Sequence, residues 1–250
     1  MKIMLDIITV TKDDFDGVVS TINSTQNLRA GNEIGQIIVD SSGEKTQEKI
    51  KELIKAGQSI EYVWQEPSGI ARAFNRGLTA SRAEWVWFLN GRDEVHPDLD
   101  PHNFLHTLKA SKADAIIFEL ERMQSRTRYK HPPLWAVWPP VFFWIPHPAT
   151  IVRRQLFEQY GLFNEKFKIA MDGEIWFRFF SKKDVIVDLL SLPIALYDES
   201  GMSSTQRRKT AREGVKIILS NLRMLLKIWF ISGIKIFAAL KHFHKESRSG

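Results

Sequence analysis

MLDIITVTKDDFDGVVSTINSTQNLRAGNEIGQIIVD, residues 4–40, holds the fold in miniature. Its two ends, MLDIITV (4–10) and IGQIIVD (34–40), are short apolar runs rich in β-branched residues, the composition of strands buried on both faces. Between them, 14–28 spaces its apolar residues as a helix does. Strand, helix and strand with short connections make a parallel pair, because the crossover helix returns the chain to the starting edge. The pattern then repeats. IEYVWQ (60–65), WVWFLN (85–90) and ADAIIFEL (113–120) read as further strands, and 44–56, 69–82 and 102–112 as helices, the last approached through Pro97 and Pro101. The expected architecture is α/β, a mainly parallel sheet flanked by helices. Ligands of such sheets bind beyond the carboxyl ends of the strands. That rule singles out Thr9 to Asp13, Asp40 to Ser42, Gln65 to Ser68 and Asn90 to Glu94.

Composition agrees with a globular chain: 250 residues, 44% hydrophobic and 26% charged, enough for a large core. Cysteine is absent, which excludes disulfides, thiolate metal sites and cysteine nucleophiles. The opening MKIMLDIITV is too short an apolar stretch for a secretory signal, so the chain is expected in the cytosol or on the cytosolic face of a membrane. The net charge of +6 is unevenly spread. Residues 207–250 hold eleven Lys or Arg against Glu213 and Glu246, a net of +9, which leaves −3 for residues 1–206. An acidic body without a basic groove argues against nucleic acid as a partner, and no Walker loop or dinucleotide glycine fingerprint is present.

Beyond the alternating region the chain changes character. HPPLWAVWPPVFFWIPHP (131–148) combines six prolines with Trp135, Trp138, Phe142, Phe143 and Trp144, which forbids a regular helix or central strand. It reads either as an irregular connection folded on the core or as a binding loop. VRRQLFEQYG and DGEIWFRFFSK (172–182) follow as short helices, and VIVDLLSLPIALY as a late strand. After DESGMSSTQ the tail becomes a helical pattern in which Arg212, Lys216, Arg223 and Lys227 share one sector opposite Leu, Ile, Trp and Phe. That is the pattern of a helix lying in a membrane interface; a core helix with a solvated face, or a dimer contact, is the competing reading. The division expected is therefore a body, 1–206, with halves 1–120 and 121–206, and a basic amphipathic helical tail, 207–250.

Four loops at strand ends carry the polar residues: ITVTKDDF, IIVDSSGEKT, WQEPSGIARAFNRGL and WFLNGRDEV. Their order and spacing, followed by HPATIVRRQLFEQYGLFNEKFKIAMDGEIWFR, resemble the inverting family 2 glycosyltransferases of GT-A (Rossmann-like) fold over about 200 residues. The resemblance implies transfer of a sugar from a nucleotide-diphosphate donor to a glycan or lipid-linked acceptor, in cell-surface polysaccharide or lipopolysaccharide synthesis. Together with the basic amphipathic tail it points to a protein peripheral on the cytoplasmic face of the inner membrane, held to anionic lipid by 207–250, with homo-oligomers left open. Arg92 and Arg72 depart from the family pattern. They suggest the alternative of a catalytically degenerate fold that binds sugar nucleotide or acts as a scaffold.

The roles implied follow residue by residue. Thr9 and Asp40 would line the nucleotide pocket, although a strand-end Asp is often only a helix cap and Ser41 or Ser42 could serve as caps too. Glu66 would hold or orient the donor loop, and Asn75 matches the family's Asn-x-Gly. Asn90 belongs to the loop in which Asp93 is the carboxylate retained to hold a divalent cation, Mn²⁺ or Mg²⁺, against the leaving diphosphate. Arg92 would point at the diphosphate or into solvent. Asp172 is the expected general base, which takes the acceptor hydroxyl's proton during in-line attack. Glu174 lies roughly 200° further round the same helix and cannot face the same oxygen. Arg178 would bind phosphate or pair with Glu174; His147 would ligate the metal, contact the acceptor or simply build the core, and Trp138 would contact the acceptor or belong to an irregular connection.

Overall fold

The computed structural model describes residues 3–54, 59–130, 145–182, 184–201 and 206–221. β1 (Leu5–Thr11), β2 (Ile34–Asp40), β3 (Ile60–Trp64) and β4 (Trp85–Phe88) form the parallel half of one sheet, in spatial order β3-β2-β1-β4. The crossovers are α1 (Phe15–Ser24) with the single turn α2 (Gln26–Arg29), then α3 (Glu44–Ile54) and α4 (Ile70–Ala80). Strand order reverses between β2-β1 and β1-β4. The crevice at that reversal is where an open parallel sheet receives its ligand.

Strict alternation of side chains sorts the core into two faces. Ile8, Val10, Ile37, Val39, Val86 and Phe88 pack towards α4 and the later helices, whereas Leu5, Ile7, Ile34, Trp85 and Trp87 pack towards α5 (Pro101–Ala110). Asp14 caps α1 by accepting from Gly17 N–H, and Asp100 caps α5 from Asn103 N–H with Pro101 at its first position. α4 comes so close to the sheet that a Cβ on Gly77 would lie 2.4 Å from Ile8 Cγ2.

The second half of the sheet departs from the expected parallel order. β8 (Thr150–Arg153) runs antiparallel between β4 and β6 (Ala115–Arg122), so the fourth and fifth sequence-predicted strands are not neighbours. β9 (Val187–Tyr197) then lies parallel to β6, with short β5 (Glu94–Val95) on its far edge and β7 (Arg128–Tyr129) paired to β6. Register slips where Glu119 meets Pro193, the residue that cannot donate to a ladder. The helix expected at 14–28 breaks at Thr25. The segment VRRQLFEQYG divides into the end of β8 and α6 (Gln155–Tyr160). α7 (Met171–Phe180) matches the helix read at 172–182.

β6 crosses residue 120 within one continuous sheet. The tail's first helix, α8 (Arg207–Ser220), is docked on the body: Ile217 is fully buried in the same cluster as Met171, Trp176 and Phe180. Residues 131–144 of the proline-aromatic segment, Trp138 among them, and 222–250 of the tail lie outside the described residues.

Candidate active site

At the carboxyl ends of β1 and β4 the loop Asn90–Asp93 is held from three sides. Its turn closes with Asp93 N–H donating to Asn90 O. The buried Thr21 hydroxyl lies 2.8 Å from Asp93 O and 3.1 Å from Asn90 O, tying the loop to α1. Asp198, just past β9, donates its backbone N–H to Asp93 Oδ1 at 2.9 Å. The other oxygen, Asp93 Oδ2, is buried without a hydrogen-bond partner, and so is Asn90 Oδ1. Burial pushes the Asp93 carboxyl up to about 7, with the nearby Asp198 charge acting in the same direction. A buried carboxylate oxygen without a donor is costly unless something absent from the bare chain binds it.

A cavity of about 280 Å³ opens here. Asn90, Asp93 and Asp198 stand on its wall, together with His147, Lys168 and Asp172. Asp172 sits in the first turn of α7, but it is not the cap; that position is Ala170, which has no side-chain capping bond. Its Oδ1 accepts from the adjacent Gly173 N–H at 2.7 Å. Burial raises the Asp172 carboxyl to about 6, and the nearby charge of Glu213 adds to the rise. A carboxyl lifted to that range is well suited to take a proton near neutral pH. The sequence-predicted metal carboxylate and base therefore share one cavity.

His147 also reaches the cavity. Its ring stacks on Phe88 at 5.2 Å, neither ring nitrogen has a partner among the described residues, and burial pushes it down to about 3. The imidazole is neutral at working pH. Trp87 Nε1–H donates to Pro148 O at 2.7 Å and fixes the turn that carries it.

Other expected site residues are placed elsewhere. Thr9 is fully buried in the sheet, its hydroxyl accepting from Gln36 Nε2, because Thr9 falls on the α1 side of the alternating strand. Both oxygens of the buried Asp40 are engaged, one by Ser42 N–H and one by the Tyr62 hydroxyl, so Asp40 shapes the second loop. The Asn75 side chain clamps the Phe163 segment, its Oδ1 accepting from Phe163 N–H and its Nδ2 donating to Phe163 O. Glu66 is exposed and is not on the cavity wall.

Arg92 turns away from the cavity to form a two-pronged pair with Asp14, at 2.7 and 2.8 Å. Its backbone has a positive φ of 78°, and its stem crosses α1 where Gly17 has no Cβ to block it. Glu174 and Arg178 make the expected (i, i+4) pair, and Arg178 also donates to Tyr160 O, Gly161 O and Leu162 O. They fasten α7 to α6. Among the described residues no group of three or more His, Asp or Glu is gathered as a metal cage.

Sequence reasoning missed Asp198, Lys168 and Arg122, all on the cavity wall. Asp198 follows the strand VIVDLLSLPIALY, so the strand-end rule applied to the first four strands would have found it. In Asp198 burial opposes ionisation, but bonds from Ser200 and Gln124 outweigh it and the net shift is downward. Lys168 reaches towards Gly69, whose φ of 106° opens the third loop.

The model of the family "Glycosyl transferase family 2" matches residues 6–185. The chain is 26% identical over 165 residues to an uncharacterized glycosyltransferase of Rickettsia prowazekii (strain Madrid E), and 27% identical to one of Rickettsia typhi. Each alignment covers 61% of this chain and 52% of the relative, so the chain aligns with about half the length of these proteins. Among solved structures, S. aureus TarS 1–349 in complex with UDP superposes with a TM-score of 0.64 at 15% identity, over 78% of this chain and 60% of that one. The mannosyltransferase PcManGT of Pyrobaculum calidifontis, in complex with GDP-Man and Mn²⁺, gives 0.67 at 14%, over 89% and 65%.

Proposed function

The chain belongs to glycosyl transferase family 2 and has a GT-A fold, and on that premise we propose that it moves a sugar from a nucleotide-diphosphate donor to a glycan or lipid-linked acceptor with inversion at the anomeric carbon. The observation that carries the reading is the shared cavity. A loop carboxylate with an unpartnered oxygen, Asp93, and a carboxyl raised to about 6, Asp172, both stand on its wall. Nucleotide-sugar ligands in the solved neighbours and Mn²⁺ in one of them support the donor class and the cation.

The residues present fit a divalent cation. Asp93 Oδ2 and Asn90 Oδ1 are hard oxygens left without donors, and a cation bound there would stabilise charge on the leaving diphosphate. Lys168 and Arg122 bring further positive charge to the wall. Asp172 accepts the proton of the attacking acceptor hydroxyl, and neutral His147 offers a hydrogen bond without adding charge. Because the base must be ionised, turnover is expected to fall as pH drops through about 6, one proton at a time, and to level off above it. A kcat–pH profile flat from 5 to 8 would remove Asp172 from that role. Thermal shift against a panel of nucleotide-diphosphate sugars, with and without Mn²⁺, tests the donor class. A rise with one donor, larger with Mn²⁺, supports the reading, and no rise with any donor opposes it.

The basic tail supports attachment to anionic lipid on the cytoplasmic face of a membrane, in line with a lipid-linked acceptor in cell-surface glycan synthesis. α8 exposes Val215 and Leu219 beside Arg212 and Lys216, and residues 207–250 carry a net +9. Among the described residues no helix is long and apolar enough to cross a membrane. Deleting 222–250 should release the protein from anionic liposomes in flotation while its melting temperature holds. Deletion from 207 would also remove the buried Ile217. Unchanged flotation of the 222–250 deletion would contradict the membrane role.

A further inference from the structure

Glu213 is one of only two acidic residues in the basic tail. It faces the body from α8, and its carboxylate accepts three backbone N–H groups in succession: Lys168 to Oε1, and Ile169 and Ala170 to Oε2, each at 2.9 Å. These residues lead straight into α7. Lys168 and Ile169 stand on the cavity wall, and so do Met171 and Asp172. Ala170, the cap residue, has no polar side chain, so the carboxylate arrives from another helix. Burial opposes the charge of Glu213, but the three bonds outweigh it and hold its carboxyl below the usual range. The buried Ile217, one turn further along α8, anchors the same face of the helix.

We infer that Glu213 is a positioning residue for the base: its grip on the Lys168–Ala170 backbone sets the wall from which Asp172 reaches the acceptor. The tail helix is then part of the catalytic apparatus as well as a basic appendage. The inference rests on Asp172 being the base. Facing the Asp172 carboxyl from α8 is Glu213, itself beside Lys216; Lys168 stands on the same stretch of wall, and Asp93, Asp198 and Arg122 on other parts of it, with His147 neutral. Of these, Glu213 is the charge that raises Asp172 directly from α8.

Glu213→Gln in the full-length protein tests it. The amide keeps the shape, loses the charge, and turns an NH₂ towards backbone donors. The expected result is a kcat lower by about tenfold to a hundredfold, with donor KM unchanged, since a small misplacement of a reacting group suffices for such a loss. With the like charge gone, the acid limb of the kcat–pH profile moves to lower pH. A residue that only stabilised the fold would lower the melting temperature and leave that limb in place. Amide hydrogen exchange gives a readout independent of turnover: Lys168, Ile169 and Ala170 should exchange about tenfold faster in the variant. Wild-type kcat, acid limb and exchange rates in Glu213→Gln would overturn the inference. A wild-type protein that turns over no donor would instead overturn the assignment of the base, and unchanged exchange would still overturn the grip.

Discussion

Asp172→Asn is expected to fold normally, bind donor with wild-type affinity and lose sugar transfer by roughly 10²- to 10⁴-fold, the range a positioned general base contributes. The side chain's Oδ1 accepts from Gly173 N–H, and an amide oxygen can accept that bond equally well. Nothing in the packing of α7 is disturbed. The planar shape of the carboxylate is kept, but an amide cannot take the acceptor's proton. The loss should therefore fall on kcat, with donor KM little changed. The fold should also gain: a carboxyl raised to about 6 by burial costs stability once pH passes its ordinary value, and that cost disappears in the variant. Glu174→Gln is the matched control. Its carboxylate is committed to Arg178 and does not reach the cavity, so it should lower stability and spare the proton transfer. Normal turnover in Asp172→Asn beside a dead Glu174→Gln would reverse the assignment.

Asp93→Asn should lower turnover by about two to three orders of magnitude, the equivalent of several kcal/mol of charge stabilisation on the leaving diphosphate. It should also abolish the Mn²⁺-dependent part of donor binding. Stability is expected to move the other way. Asn keeps the oxygen that accepts from Asp198 N–H and removes a buried carboxylate whose second oxygen has no partner. The sign follows from the raised carboxyl. Between its ordinary value of 3.8 and about 7 the folded protein holds a proton that the unfolded chain has released, so stability falls as pH rises through that window. At pH 8 without metal, the variant should melt at or above the wild-type temperature. Calorimetry with and without Mn²⁺ reads both effects. A variant that melts lower yet responds to Mn²⁺ as wild type does would show Asp93 to be structural.

The parallel half of the fold was legible because its strands are buried on both faces and therefore read as unbroken apolar runs, MLDIITV and IGQIIVD above all. The antiparallel insertion of β8 was not, since Thr150–Arg153 is four residues long and its partners are distant in sequence. Asp93 was singled out by both the strand-end rule and the family resemblance, Asp172 by the resemblance alone, and the two stand on one cavity wall. Thr9, Asp40 and Asn75 each bond to another part of the chain, for a common reason. A polar residue near a strand end can serve a ligand or a neighbouring backbone, and only the three-dimensional partners, Gln36, Tyr62 and Phe163, decide which. Arg92 was decided by Asp14, 78 residues away. Glu213 was invisible in a run of basic residues, because its three acceptor bonds go to backbone groups that carry no sequence signature.

Release of nucleoside diphosphate from a sugar-nucleotide panel in the presence of Mn²⁺, measured side by side for wild type, Asp93→Asn and Asp172→Asn, tests most directly whether this cavity performs sugar transfer. The account predicts release from at least one donor by the wild type, and release lower by about a hundredfold or more from either variant although both are folded. Release sustained by the two variants, or no release by the wild type from any donor, would contradict it.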